Sequence, residues 1–211
     1  EKQASVITVE CYPGVNEEEV VSGLQAYLCP DRIISSKDIF YDEDTMTKMM
    51  KPYLTEDRVF GTMFYGRMED FLDTERLEHA RKEIGTEGLT LICGVGASLI
   101  SRGDVLVYAD MARWEIQLRY RKGMPNFNAS NYEEDTLRKY KRGFFVEWRF
   151  ADKRKTELYP EIDYYLDTNT ERKPKMITGE DFLLGIRQTA NRPFRLVPYF
   201  DPGVWGGQWM K

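Results

Sequence analysis

The apolar, β-branched run Val6-Ile7-Thr8-Val9 leads through Glu10-Cys11-Tyr12 into Pro13-Gly14-Val15-Asn16, and three glutamates follow, Glu17, Glu18 and Glu19. Strand, tight turn and helix start make the layout of a phosphate-binding loop. In a GxxxxGK[ST] turn the backbone amides and the lysine hold phosphates while the hydroxyl reaches magnesium. Here the lysine and the hydroxyl are absent. Instead Asn16 can cap the helix, Glu19 three residues on completes a capping box, and Glu17 and Glu18 occupy the first turn. Carboxylates thus stand where a helix dipole would otherwise attract a phosphate. Each close pair would repel a polyphosphate by roughly 1 to 4 kcal/mol. The residues predict a well-capped structural βα unit whose phosphate loop has been lost.

Other chemistry-bearing types are thinly spread. Gly94-Val95-Gly96 follows a predicted strand, but Leu99 stands where a dinucleotide fingerprint needs its third glycine, so a tight turn is expected. The one histidine, His79, falls in Leu77-Glu78-His79-Ala80-Arg81-Lys82 and reads as solvated or capping. A chain with one imidazole cannot build the usual catalytic zinc site. Cys11, Cys29 and Cys93 are odd in number and far apart, which gives no disulfide framework or zinc knuckle. The most basic region runs from Arg113 to Lys122 and resumes from Arg138 to Lys155, mixed with Trp148, Phe144, Phe145 and Phe150. It fits either a phosphate-gripping lid or a pair of amphipathic helices with charges outward; the second is the expectation.

The elements that must position these groups follow from periodicity. Ala4 to Cys11 suits a central parallel strand. A helix from Asn16 to about Leu28 places Val20, Val21, Leu24 and Leu28 on one side. Asp31 to Ser36 is a short second strand, and a methionine-rich helix from about Asp44 ends at Met50, before Pro52. Phe60 to Gly66 is a loop, and helical spacing returns from Met68 to Ile84. Leu89–Cys93, Asp104–Ala109 and Ile162–Asp167 complete five strands, Thr168 to Ile177 is a polar connector, and Thr178 caps a last helix. Strands alternating with helices predict a three-layer α/β/α fold with a mostly parallel five-stranded sheet. Ligands of such sheets sit at the carboxyl ends of strands, where Asn16, Asp38, Tyr41, Arg113 and Arg119 are the candidate ligand-binding residues; no catalytic residue and no metal ligand is assigned.

The 211 residues carry 31% charged side chains of mixed sign and a formal charge of −5, which gives no general pull toward nucleic acid or anionic membranes. No apolar run approaches the roughly 18 residues that span a bilayer. A cytoplasmic protein with no nucleic-acid and no membrane partner is the expectation. Both ends read as cut within a longer polypeptide.

Two resemblances add to this. Ile33-Ile34-Ser35-Ser36-Lys37-Asp38-Ile39-Phe40-Tyr41 resembles the second-strand motif of the uridine kinase and phosphoribulokinase group, which implies a P-loop nucleoside-kinase type of fold. It puts Asp38 at the base that activates an acceptor hydroxyl and the Arg113 to Arg121 helix at the lid. Phe194-Arg195-Leu196-Val197-Pro198-Tyr199-Phe200-Asp201-Pro202-Gly203-Val204-Trp205-Gly206-Gly207-Gln208-Trp209-Met210 is similar to the opening segment of class I mannose-6-phosphate isomerases, where Trp-Gly-Gly enters the cupin barrel. The chain as a whole resembles the extension before the isomerase domain in some bacterial members. The resemblance implies a degenerate kinase-like domain over 1–190 and the truncated start of a cupin domain over 191–211. It implies zinc only in the isomerase part beyond Lys211 and no cofactor in this piece. The implied partners are that cupin domain or another subunit, with a phosphorylated small molecule as ligand. A non-catalytic domain of an isomerase that interconverts mannose 6-phosphate and fructose 6-phosphate is the leading expectation. An active nucleoside or sugar kinase and a pure oligomerisation module are the rivals.

Overall fold

The strands that can be buried on both faces occupy the middle of the sheet. In the computed structural model, which describes residues 4–193, 200–202 and 208–210, β1 (Ser5–Cys11) lies between β3 (Leu89–Gly94) and β4 (Val105–Asp110), parallel to both. Ile7 is level with Leu91 on one side and Val105 on the other. The sheet continues outward through β2 (Arg32–Ser35), β5 (Tyr164–Asp167) and β6 (Lys175–Thr178), in the order β2-β3-β1-β4-β5-β6. Only β6 is antiparallel to its neighbour. The expected mostly parallel α/β sheet flanked by helices is the one the chain forms, with six strands instead of five. The sixth lies inside the connector read as polar. Its residues, Lys-Met-Ile-Thr, are all exposed, so burial leaves no alternation for a sequence to display.

The helices are α1 (Glu17–Leu28), α2 (Glu43–Leu54), α3 (Thr74–Lys82), α4 (Ala97–Ile100), α5 (Arg113–Arg121), α6 (Thr136–Arg142), α7 (Trp148–Leu158) and α8 (Gly179–Ala190). α1 begins on Asn16, whose Oδ1 accepts the Glu19 N–H at 3.1 Å, but the expected capping box is only half made, because the Glu19 carboxylate accepts the Arg172 N–H at 2.7 Å instead. α8 likewise begins on Thr178, which accepts the Asp181 N–H. α2 runs through Pro52 rather than stopping before it. The proline forgoes one i→i−4 hydrogen bond, and the fully buried Met46 and Met50 anchor the helix. The single helix expected from Met68 to Ile84 is a 3₁₀ turn, Met68–Phe71, followed by α3. Asp73 caps α3 by accepting the N–H groups of Glu75 and Arg76, and the break drops Phe71 and Leu72 into the core.

The basic stretch departs most from expectation. A π turn, Gly143–Glu147, joins α6 to α7, and Lys139, Lys141 and Arg142 are buried rather than turned outward. The lysine charges are taken by loop carbonyls, Lys139 donating to Met124 O and Tyr132 O and Lys141 to Thr55 O and Asp57 O, while Arg142 pairs with the buried Glu147 and also donates to Phe127 O. These loops have no ladder to satisfy their carbonyls, and the cations supply the missing donors. Trp148, Phe150 and Ile116 are in the core, where each side chain is worth about 1.5 to 3 kcal/mol of burial. Trp148 therefore offers no exposed aromatic face to a partner. The segment read as the entry to a barrel lies outside the described residues except for two short antiparallel strands, β7 (Phe200–Pro202) and β8 (Gln208–Met210).

Candidate functional site

At the carboxyl end of the parallel strands an open cleft of about 1260 Å³ lies between the start of α1, the end of β2, one face of α5 and the loop that carries Pro125 to Ala129. That volume exceeds the roughly 300–1,000 Å³ of most small-ligand pockets. Its floor is the β1–α1 turn. Gly14 sits there at φ +110°, and a Cβ would lie 2.8 Å from Ile116 Cγ1, so the turn passes too close to α5 for any side chain.

Glu17 is the first helical residue of α1, and its carboxylate does not point to solvent. It accepts the Val95 N–H at 3.1 Å in the turn after β3. Gly94, at φ +128°, makes the approach possible, because a Cβ there would stand 2.3 Å from Ser36 Oγ and 3.0 Å from Glu17 Oε2. Burial raises the Glu17 carboxyl above its usual range; the Val95 hydrogen bond opposes the rise and the charge of Glu10 adds to it. Glu10, inside β1, accepts the N–H groups of Gly96 and Ser98 at 2.7 Å and the Ser98 hydroxyl at 2.6 Å. Ser98 Oγ in turn accepts from Arg154 of α7. Burial raises Glu10 as well, against those hydrogen bonds and Arg154.

Of the residues singled out from the sequence, Asn16 and Arg119 line this cleft. Arg119 donates to Gly14 O and Thr168 O, both at 3.2 Å, and so clamps the β1–α1 turn to the end of β5. Asp38, Tyr41 and Arg113 are not among the lining residues. Asp38 is exposed in a 3₁₀ turn, Ser36–Ile39, and the Tyr41 carbonyl accepts from Asn128 Nδ2 at 2.8 Å. Arg113 is paired with Asp152, which also accepts the Tyr12 hydroxyl at 2.9 Å, and its guanidinium lies 5.4 Å from the Trp148 ring. None of the cations from Arg138 to Lys155 reaches the cleft.

The sequence reading passed over Lys37, Lys122, Glu115 and Glu171, which also line the cleft. The available signal was position: Lys37 follows β2, and Glu115 and Lys122 share the face of α5 that carries Arg119. His79 is exposed on α3 beside Glu83. Among the described residues no cluster of three or more His, Cys, Asp or Glu could hold a metal ion. None of their helices is long and apolar enough to cross a membrane.

A family model matches residues 1–191, which include every residue of the cleft, and its description is a domain of unknown function, DUF8485. The chain belongs to that family. No curated protein matches it. Among solved structures it is similar to a shikimate kinase from Bacteroides thetaiotaomicron at 13% identity and a TM-score of 0.45, over 89% of this chain and 99% of that one. In this member of the family the strand-end turn is closed by its own carboxylate, with Glu17 on Val95 and Arg119 on the Gly14 carbonyl.

Proposed function

We infer that this chain is a non-catalytic, kinase-like domain that serves assembly, regulation or ligand sensing in a class I mannose-6-phosphate isomerase-like protein. The observation that carries the non-catalytic part is the Glu17 carboxylate, drawn to the Val95 N–H at 3.1 Å where a phosphate-transferring enzyme needs a cation. Phosphoryl transfer is almost wholly positioning and charge neutralisation, and this turn supplies negative charge instead. The isomerase part rests on the resemblance of Phe194 to Met210 to the entry of a cupin barrel. In this reading zinc belongs to the portion beyond Lys211, and the cupin domain or another subunit is the partner.

Thermal denaturation with MgATP tests the first part. A site filled to 100 times its Kd would gain about 2.7 kcal/mol of stability; the expected result is no rise in Tm and no hydrolysis. MgATP binding with turnover would replace this reading with an active nucleoside or sugar kinase. For the second part, the 211-residue chain is expected not to interconvert mannose 6-phosphate and fructose 6-phosphate with added zinc, while a polypeptide that continues through the barrel does so.

A further inference from the structure

β6 is one edge of the six-stranded sheet, and all four of its residues are exposed, Met176 at 59% and Ile177 at 45%. Its inner side is spent on β5. Tyr165 is level with Ile177 and Asp167 with Lys175, and the Gly179 N–H reaches Asp163 O at 2.8 Å. Alternate residues of an antiparallel pair turn their N–H and C=O groups to the neighbour, so those of Ile177 and Lys175 go to β5 and those of Met176 and Thr178 point outward. Each face of this edge carries an apolar side chain. Ile177 shares the face of Tyr165, whose ring stacks at 4.2 Å on Phe182 of α8, and Met176 shares the opposite face with Leu166. The charges lie at the two ends. Arg172, Lys173 and Lys175 stand on one side of the apolar pair, Glu180 and Asp181 on the other.

We propose that β6 is the contact between two copies of this chain, paired antiparallel about a two-fold axis so that their sheets run on as one. The order of charges fits a symmetric partner. Antiparallel pairing sets the basic end of each β6 beside the acidic start of the other copy's α8, twice over, whereas parallel pairing would set like against like. The outward groups choose the register. Centred on Met176, the pair would face Thr178 with Pro174, which has no N–H to give. Centred on Ile177, it bonds Met176 of each copy to Thr178 of the other. Lys175 then lies opposite Gly179 of the second copy, next to that copy's Glu180, and no lysine opposes a lysine. Edges of this kind usually avoid association by carrying charge along their length; here the lysine has a carboxylate to meet. Two strands of four residues bury little beside the roughly 1,200–2,000 Å² of a standard interface, so the dimer is weak, with a Kd of about 10–100 μM. The inference goes beyond the non-catalytic reading and does not depend on what the β1–α1 turn binds.

The experiment is analytical ultracentrifugation of the full chain from about 1 to 500 μM, where a reversible monomer–dimer equilibrium is expected. Ile177→Lys, at an exposed position, sets two cations against each other at the axis and should weaken the dimer about tenfold or more with Tm unchanged. Lys175→Glu and Glu180→Lys should each weaken it about fivefold alone. An equimolar mixture of those two variants should recover the dimer, because each altered end then meets its opposite charge. Hydrogen exchange at the Met176 and Thr178 amides should slow as protein concentration rises. A chain that stays monomeric to about 500 μM overturns the proposal, as does a dimer indifferent to Ile177→Lys, a mixture no better than its separate variants, or exchange at those two amides that ignores concentration. Binding or turnover of MgATP would remove the non-catalytic reading and leave this one untouched.

Discussion

The Glu17 carboxylate and the Val95 backbone N–H meet at 3.1 Å across the ends of α1 and β3. A carboxylate capturing an amide at this place removes both a donor and a vacancy that a bound anion would use. It also buries a charge, and burial is what raises the Glu17 carboxyl.

A pH dependence follows from that rise. An acid whose folded value lies above its unfolded one holds its proton more firmly when folded. It contributes no penalty below the unfolded value near 4.5, and stability is lost as pH rises through the folded value. Glu17→Gln should therefore be the more stable protein at neutral pH, with the difference vanishing below the unfolded value. Urea denaturation of both proteins across pH 4 to 8 is the check; parallel curves would refute it.

Charge reversal at the same turn should act on ligand choice. Glu17→Lys/Glu18→Thr restores the cation and hydroxyl of a phosphate loop, and this variant is expected to show a Tm that rises with MgATP while the parent does not. Equal, flat responses would mean that the turn's backbone, not its carboxylates, keeps polyphosphates out.

Arg142 and Glu147 form a fully enclosed ion pair at 2.7 Å, with Asn126 Nδ2 also donating to Glu147 at 2.9 Å. Arg142→Ala leaves a carboxylate stranded in the core and should cost about 3–5 kcal/mol, whereas Arg142→Met/Glu147→Leu should recover much of that loss. Chemical denaturation of the single and double variants measures both, and a double variant no better than the single one would show that the pair is not the relevant unit.

Gly14→Ala forces a side chain onto a backbone at φ +110° and to within 2.8 Å of Ile116 Cγ1. A loss of about 1 to 3 kcal/mol is expected, read as a lowered urea midpoint at unchanged m-value.

Cys11 and Cys93 are buried and Cys29 is exposed. A thiol reagent should modify one group quickly in the native protein and three after denaturation. The Sγ–Sγ contact with Cys93, burial and nearby carboxylates all push the Cys11 thiol up, so alkaline pH short of unfolding should not expose a second reactive group.

Much of the scaffold was written in local pattern. The β1–α1 unit, its Asn16 cap and the Thr178 cap of α8 each rest on residues within a few positions of one another, so sequence spacing suffices to find them. β6 was hidden because an edge strand exposed on both faces needs no alternation. Lys139, Lys141 and Arg142 were misread as outward because a cation that serves loop carbonyls from Thr55 to Tyr132 looks, in one dimension, like any solvated charge. The cleft was half legible. Asn16 and Arg119 were found from strand ends and helix position, while the engagement of Arg113 with Asp152, 39 residues away, depends on tertiary packing that no local pattern encodes.

The Arg119 clamp between Gly14 and Thr168 fastens the floor to the end of β5, and Lys139 draws Met124 and Tyr132 toward α6. Both margins of the opening are thus tethered before any visitor arrives. Capture should resemble a key entering a finished lock: little chain ordering to offset, a modest heat-capacity change, and an association rate governed by diffusion and charge rather than by closure.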